Sequence, residues 1–271
     1  MPSGWAPVGA PSTIKTEGGP IDDSTVPNAM VAGGGYSVIF LQETHTTPAI
    51  EASWRLEYGD RVYFSHLSAH LAGVATLFSA ELWSEVLGVT EVMLGLLLHV
   101  QACVEGLTLN LVNVYTPNTG PDQVRFYRQA SAFLSTLDPH KCVVLGRDFN
   151  TTLEDQDCSG LESSQATAGV LREIVDHHSL VDVWRYHRPD DDTTFTYVRV
   201  EDNQSRHSWL DRIYFSRFHL ARAHTSGIRP APLSNHHLVT VTASLSSEKL
   251  GPAYWHFNNS LLEGVGFMAS F

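Results

Sequence analysis

Short apolar runs that end in polar residues recur along this chain and limit the folds open to it. Residues 36–41 form one such run and lead into Gln42 and Glu43, while residues 142–145 lead towards Asp148 and Asn150. Apolar runs of this length, bounded by polar residues, are typical of strands buried inside a sheet. Because strand ends on a rigid sheet can direct side chains into a shared cleft, the pattern predicts a functional site at one sheet edge.

Further strands and two helices are predicted from the spacing of apolar residues. The predicted strands span 36–41, 98–104, 107–115, 142–145, 194–199, 209–216 and 238–245, and the predicted helices span 123–137 and 167–178. Many strands with helices between them favour an α/β (α+β) fold in which stacked sheets are flanked by helices.

The ends of the chain differ in composition from its middle. Residues 1–35 are rich in Gly, Pro, Ser and Thr and are predicted to be flexible, residues 36–247 to form one domain, and residues 248–271 to form a tail. No run of about 18 apolar residues is present, so we expect no membrane span, and the first ten residues lack a secretory leader pattern. We therefore expect a monomer that is located in the nucleus.

The formal net charge is −12. Neutralisation of phosphates by basic residues drives DNA affinity, so this balance argues against strong autonomous binding to DNA. The same balance suits a protein that gathers carboxylates around a divalent cation. The three cysteines form no CxxC pair and no zinc pattern, and we interpret them as free thiols.

Six short segments resemble the endonuclease/exonuclease/phosphatase family, and their order resembles the DNA-nicking endonucleases of non-LTR (LINE-type) retrotransposons. The segments are LQETH at 41–45, NVYTPN at 113–118, GRDFN at 146–150, FTY at 195–197, LDRI at 210–213 and SNHH at 234–237. The match spans roughly residues 36–245. It implies a four-layer α/β sandwich of two packed β-sheets flanked by helices, and a metal-dependent phosphodiesterase that acts on DNA.

The resemblance also implies roles for particular residues. Glu43 would bind Mg²⁺, with Mn²⁺ as the alternative ion, because hard carboxylate oxygens suit such cations. Asp148 would orient the attacking water or accept its proton, and Asn150 would hold that arrangement. Tyr115 would donate a hydrogen bond to a non-bridging phosphate oxygen.

The remaining implied roles concern the charge on the phosphate and the DNA backbone. His236 would stabilise negative charge in the transition state, and Asp211 would fix the orientation of its ring. Asn235 would lie near the metal. The residues expected to contact DNA phosphates are Asn118, Thr196 and Ser234.

Three departures from the family pattern predict reduced or lost activity. The usual first strand, which carries an Asn near the metal, is absent from residues 1–35, where Asn28 is a poor substitute; its loss would expose a sheet edge. Arg147 stands where the family has Gly, so its guanidinium is expected to pair with Asp148 in competition with the metal, or to obstruct a turn. Asn235 replaces an Asp, which removes a negative charge near the metal.

Two other functions stay open at this stage. A phosphatase of the same fold is one, although phosphatase branches resemble WCDR where this chain has Trp209 to Arg212 without a Cys. The other is a non-catalytic retroelement-derived relic or interaction module, which the three departures favour.

Overall fold

The central strands of the fold form where apolar runs of the sequence are buried under other elements. The computed structural model describes residues 12–17, 36–80, 82, 84–159, 165–201, 204–231 and 234–245. The strands of these residues are β1 Ser12–Glu17, β2 Val38–Gln42, β3 Val62–Ser65, β4 Val74–Phe78, β5 Ser84–Met93, β6 Leu97–Val104, β7 Leu107–Tyr115, β8 Cys142–Asp148, β9 Leu180–Asp182, β10 Tyr197–Glu201, β11 Gln204–Ser208, β12 Asp211–Ser216, β13 Ala223–Pro230 and β14 His237–Ala243. The α-helices are α1 Pro48–Tyr58, α2 Gly120–Leu134, α3 Gln165–His177 and α4 Val183–His187.

Two six-stranded sheets and one hairpin contain all of these strands. The first sheet has the order β13-β14-β1-β2-β4-β3, the second has the order β5-β6-β7-β8-β12-β9, and β10 pairs with β11 alone. The neighbours β1 and β2 are parallel, as are β7 and β8, and the other neighbours are antiparallel. Both sheets therefore mix parallel and antiparallel pairs.

The hydrophobic core lies in three layers, which makes the domain a four-layer sandwich. Side chains of β2, β4 and β14 meet those of β6, β7, β8 and β12 between the two sheets. Trp54 and Tyr58 of α1 cover the outer face of the first sheet. The helices α2 and α3 cover the outer face of the second sheet through residues such as Phe126 and Leu171. The predicted fold class is confirmed.

The crossover through α2 decides where β7 and β8 end. Parallel neighbours need a connection that returns across the sheet, and α2 provides it. Thr119 caps this helix, its hydroxyl bonds to Asp122 at 2.5 Å, and a proline stands in the first turn, where a missing N–H costs nothing. As a result the carboxyl ends of both strands lie side by side, with Tyr115 in register with Asp148.

No strand was predicted in residues 1–35, but Ser12–Glu17 forms β1, although this strand carries no Asn of the kind expected near the metal. This strand pairs antiparallel with β14 and parallel with β2, so the first sheet is continuous at this point. Its sequence STIKTE is polar, and its backbone partners come from both ends of the domain, which is why no local apolar pattern marks it. Asn28 and the predicted tail from 248 to 271 lie outside the described residues.

The boundaries of the predicted strands and helices differ from the observed ones by a few residues, and nine of the described strands and α-helices were not predicted. These are β1, β3, β4, β5, β9, β11, β13, α1 and α4. The edge strand β5 is mostly exposed and contains a glycine, so its sequence lacks the apolar run of a buried strand. Within the described part of the chain, no helix is both long and apolar enough to span a bilayer.

A buried ion-pair group anchors the start of β12. The Arg212 guanidinium, which is 1% exposed, donates from Nη2 to Oδ2 of Asp157 at 2.9 Å. Arg185 donates to the other oxygen of Asp157 at 2.8 Å, and the backbone N–H groups of Leu153 and Glu154 also donate to this carboxylate. Burial opposes the charge on Asp157, but Arg212 and these donors lower its pKa below the usual value.

We expect Asp157→Asn to lower the free energy of unfolding at pH 7 by about 3 kcal/mol, because it leaves the buried Arg212 guanidinium with only the more distant Asp182 carboxylate, at 3.8 Å, as a counter-charge. The lowered pKa means that the carboxylate contributes this stability above about pH 3.9 and loses it as the pH falls through the folded-state pKa. Urea unfolding of both proteins at several pH values should therefore show a difference that shrinks below about pH 4. The control is Asp155→Asn, at an exposed position of the same turn, and an equal loss there would contradict the role of the ion pair.

Candidate active site

Three residues of the site lie side by side because three adjacent strands end at one edge of the second sheet. Tyr115 is the last residue of β7, Asp148 is the last of β8, and Asp211 is the first of β12. Tyr115 is in register with Asp148, and Asp148 is in register with Asp211 across the antiparallel pair. The sheet therefore places two carboxylates directly opposite each other, 4% and 0% exposed.

His236 completes this group from the other sheet. It precedes β14, its Nδ1 lies 2.9 Å from Oδ2 of Asp211, and its backbone N–H donates to the Ser234 hydroxyl at 3.0 Å. The Tyr197 ring packs against the imidazole with a centroid distance of 4.7 Å. Since Asp211 accepts from Nδ1, the other ring nitrogen is left for a ligand.

The pKa values of Asp148, Asp211 and His236 shift in different directions because the three groups are buried close together and act on one another. Burial, followed by the charge of Asp211, raises the pKa of Asp148 to about 7. Burial also acts to raise the pKa of Asp211, but the charges of His236 and Arg147 lower it below its usual value. Burial acts to lower the pKa of His236, and the Asp211 carboxylate outweighs it and raises that pKa. Titrating groups whose pKa values are driven apart in this way are typical of acid–base sites.

Glu43 lies in a loop that the backbone of a neighbouring loop holds in place. It follows β2 with a positive φ of 49°, and the next two N–H groups, of Thr44 and His45, donate to carbonyls of Gly73 and Ala72 at 3.1 Å each. Gly73 has φ +100°, and a Cβ there would lie 2.6 Å from the Thr44 hydroxyl oxygen. The close approach of the two loops therefore requires a glycine at this position.

Tyr115 donates its hydroxyl proton to Oε1 of Glu43. Burial and the Glu43 carboxylate both raise the pKa of this phenol above its usual value. The Tyr115 proton is thus directed at the predicted metal ligand, and Tyr115 is only 8% exposed. Its contact to a phosphate oxygen stays a prediction.

A cavity of about 570 Å³ connects Glu43 to the Asp148–His236 group. Its lining residues are Glu43, Asn118, Asp148, Asn150, Tyr197, Arg199, Leu210, Ser234, Asn235 and His236. A second cavity of about 290 Å³ adjoins it and shares Asn118, Asn150 and Leu210. Tyr197 and Arg199 were not predicted from the sequence as site residues. They reach the cavity because the β10–β11 hairpin lies beside the start of β14.

The donors at this edge fit a divalent cation. One ligand atom from each of Asp148, Asp211 and His236 lies within 4.8 Å of the others, and Glu43 faces the same cavity. The raised pKa of Asp148 shows that the charges of His236 and Arg147 do not offset its burial and the negative charge of Asp211. Carboxylate oxygens are the ligands that Mg²⁺ and Mn²⁺ prefer.

Seven of the ten predicted residues line the cavity, Tyr115 and Asp211 each contact a lining residue, and Thr196 lies behind Asp211. Asn150 donates through its backbone N–H to Asp148 at 2.9 Å and through its side-chain amide to the Thr116 carbonyl at 2.7 Å. Asn118, Ser234 and Asn235 line the cavity. The Thr196 hydroxyl, predicted to contact the DNA backbone, is instead fully buried and accepts the N–H groups of Leu210 and Asp211 at 2.9 Å each.

The expected obstruction of a turn by Arg147 is not observed, because this residue is paired with Val114 and Arg212 inside the sheet and its position is part of a strand. Its guanidinium contacts Gln42 at 2.6 Å and the Asp211 carboxylate at 3.2 Å. Its positive charge also acts on Asp148 and opposes the rise in the pKa of that carboxyl. Sequence reasoning missed Gln42 and Asn113 as partners in this network, although both stand in the family-like segments.

The fold and this site define a family. The sequence profile of the Endonuclease/Exonuclease/phosphatase family matches residues 19–236, and the chain belongs to that family. It is 48% identical over 237 residues to the Transposon TX1 uncharacterized 149 kDa protein of Xenopus laevis, a match that covers 88% of this chain and 18% of that protein. The chain thus spans about a fifth of the length of this relative, and the similarity agrees with the resemblance to retrotransposon endonucleases.

Solved structures share the fold at low sequence identity. The AP endonuclease LMAP from Leishmania major aligns with a TM-score of 0.70 and 15% identity, covering 86% of this chain and 87% of that one. The endonuclease domain of TRAS1, a telomere-specific non-LTR retrotransposon, aligns with a TM-score of 0.65 and 13% identity, covering 86% and 98%.

We expect Asp148→Asn to stabilise the protein at pH 8 without divalent cations, by at least about 1.4 kcal/mol, the equivalent of one pKa unit. A carboxyl whose folded-state pKa is raised contributes stability below its unfolded value of about 3.9 and loses it as the pH rises through about 7. The amide keeps the bond from the Asn150 N–H and carries no charge. Urea unfolding in EDTA should show the two proteins converging near pH 4, with exposed Asp176→Asn as the control.

Proposed function

We propose that this chain is a Mg²⁺-dependent DNA endonuclease, with Mn²⁺ as an alternative ion. The observation that carries the proposal is the grouping of Asp148, Asp211 and His236 within 4.8 Å, in a cavity that Glu43 also lines. Phosphodiester hydrolysis needs an oriented water, a stabilised phosphate and a proton acceptor, and this cavity holds side chains suited to each.

Asp148 is suited to orient the attacking water and accept its proton. A general base works best when its pKa lies near the working pH, and burial together with Asp211 brings this carboxyl to about 7. The backbone N–H of Asn150 fixes one carboxylate oxygen at 2.9 Å, which directs the other towards the cavity. Asn150 therefore supports the base and stands beside the substrate.

His236 is suited to stabilise negative charge on the phosphate. Its raised pKa favours the protonated ring, and Asp211 holds the ring through Nδ1. A fixed cation in a low-dielectric cavity stabilises developing charge more strongly than a mobile one in water. Asn118 and Ser234, which line the same cavity, would donate to backbone phosphates.

Glu43 and Asn235 would hold the cation, which supplies a Lewis acid that polarises the phosphate and offsets its charge. Tyr115 directs its proton at Glu43 and so orients this carboxylate. The exposed amide of Asn235 brings no negative charge to the cavity, which would weaken binding of the cation. Reduced metal affinity is thus one ground for reduced activity.

DNA is the substrate that the relatives favour. The similar structures include an AP endonuclease and the endonuclease domain of a non-LTR retrotransposon, and the 48% identical relative is a transposon protein. A nuclear, monomeric enzyme would suit such a substrate. The continuous first sheet supports a catalytic domain over a non-catalytic relic.

We expect the purified chain to nick supercoiled plasmid in Mg²⁺, and Glu43→Ala, Asp148→Ala and His236→Ala each to lower the rate by about a hundredfold or more. Each change removes a group that would act on the cation, the water or the phosphate. The measurement is conversion of supercoiled to relaxed circles with time, with and without EDTA.

The matched control is His140→Ala, which removes an exposed histidine between α2 and β8. This variant should cleave at the wild-type rate. A wild-type chain that binds Mg²⁺ but leaves the plasmid intact would contradict the proposal, and so would cleavage that survives all three substitutions.

We expect Asn235→Asp to lower the Mg²⁺ concentration needed for half-maximal nicking about tenfold, equivalent to about 1.4 kcal/mol of added attraction. A carboxylate at this exposed position adds a negative charge to the cavity that Glu43 and Asp148 line. A Mg²⁺ titration of the initial rate measures the effect. An unchanged half-maximal concentration would show that residue 235 does not act on the cation.

A further inference from the structure

Arg147 is a fully buried cation that links the two sheets. It lies in β8 of the second sheet, and its Nη1 donates to Oε1 of Gln42, at the end of β2 in the first sheet, at 2.6 Å. Gln42 in turn donates to the side-chain oxygen of Asn113 at 2.5 Å. Asn113 donates to the carbonyls of Leu41 at 3.2 Å and Ala75 at 2.8 Å, both in the first sheet. A chain of amide contacts therefore holds the guanidinium.

The same guanidinium meets the carboxylate that orients His236. Nε of Arg147 lies 3.2 Å from Oδ1 of Asp211, and neither side chain is exposed. Oδ2 of Asp211 lies 2.9 Å from Nδ1 of His236. One carboxylate thus has a buried cation beside one oxygen, in ion-pair contact without hydrogen-bond geometry, and the imidazole at the other oxygen. The cation lies where it can attract this carboxylate and so favour the orientation in which it meets the ring.

Arg147 also supplies charge where the register of the sheet needs it. Asp211 and Asp148 face each other across β8 and β12, and two buried carboxylates at such a distance disfavour each other's ionisation. A buried carboxylate is destabilised when a neighbouring cation is removed. Arg147 provides such a cation for Asp211 from inside the sheet, on the side of the carboxylate away from the histidine contact.

We propose that Arg147 is a positioning residue, which fixes Asp211 and through it His236, and which ties this pair to the first sheet through Gln42. The proposal rests on the proposed nuclease function and reverses the expectation that Arg147 blocks the site. Partners of this kind, which orient a group without touching substrate, typically change activity by about tenfold to a hundredfold when removed.

The test is a double-mutant cycle between Arg147→Met and Gln42→Met in the plasmid-nicking assay, with folded fractions checked by urea unfolding. We expect Arg147→Met to lower kcat about tenfold or more with KM within about twofold, because substrate contacts are kept while the histidine loses its orientation. Gln42→Met should lower kcat in the wild type and have no further effect beside Arg147→Met. Arg147→Lys, which keeps the charge, should recover part of the loss.

The matched control is Arg217→Met, at an exposed arginine after the opposite end of β12, which should leave kcat unchanged. If Arg147→Met does not fold, Arg147→Lys and Gln42→Met decide the question through the same kcat and KM split. Wild-type kcat in folded Arg147 and Gln42 variants, additive losses in the cycle, or faster cleavage by Arg147→Gly would overturn the proposal. A wild-type chain without cleavage would overturn the proposed function instead, which keeps the two failures distinct.

Discussion

Two carboxylates, Asp148 and Asp211, stand opposite each other across β8 and β12 with almost no access to water. Such a pair is unfavourable by itself, so the structure around it must supply positive charge. His236 arrives from the other sheet, and Arg147 reaches Asp211 from β8. The packing of one sheet on the other therefore also brings the positive charge that stabilises the two buried carboxylates.

Much of the site was predictable because the chemistry of each residue is local to a strand end. Glu43, Asp148 and His236 each adjoin a strand, and a sheet edge is enough to bring them together. What was not predictable depends on pairing across the domain. The polar sequence of β1 does not indicate a strand. Arg147 departs from the family pattern, and its contacts with Gln42 and Asp211 become evident only in the structure.

The loops that carry the site pay a conformational cost that the sheets offset. Glu43 and Asn150 have positive φ angles of 49° and 43°, which non-glycine residues seldom adopt. Each is over-determined by its neighbours: Tyr115 holds Glu43, and Thr116 and Gln123 hold Asn150. Strain of this kind persists where surrounding contacts fix it, and it keeps both side chains in one direction.

The tight approach at Gly73 has a consequence for how such sequences are compared. Any side chain at that position would collide with Thr44 and displace the loop that carries Glu43. A gene copy that accumulates random substitutions could therefore lose activity through a change at Gly73, a residue without a side chain, while every acidic residue and histidine of the site is retained. A comparison that counts only those acidic residues and histidines would then overestimate the number of active copies.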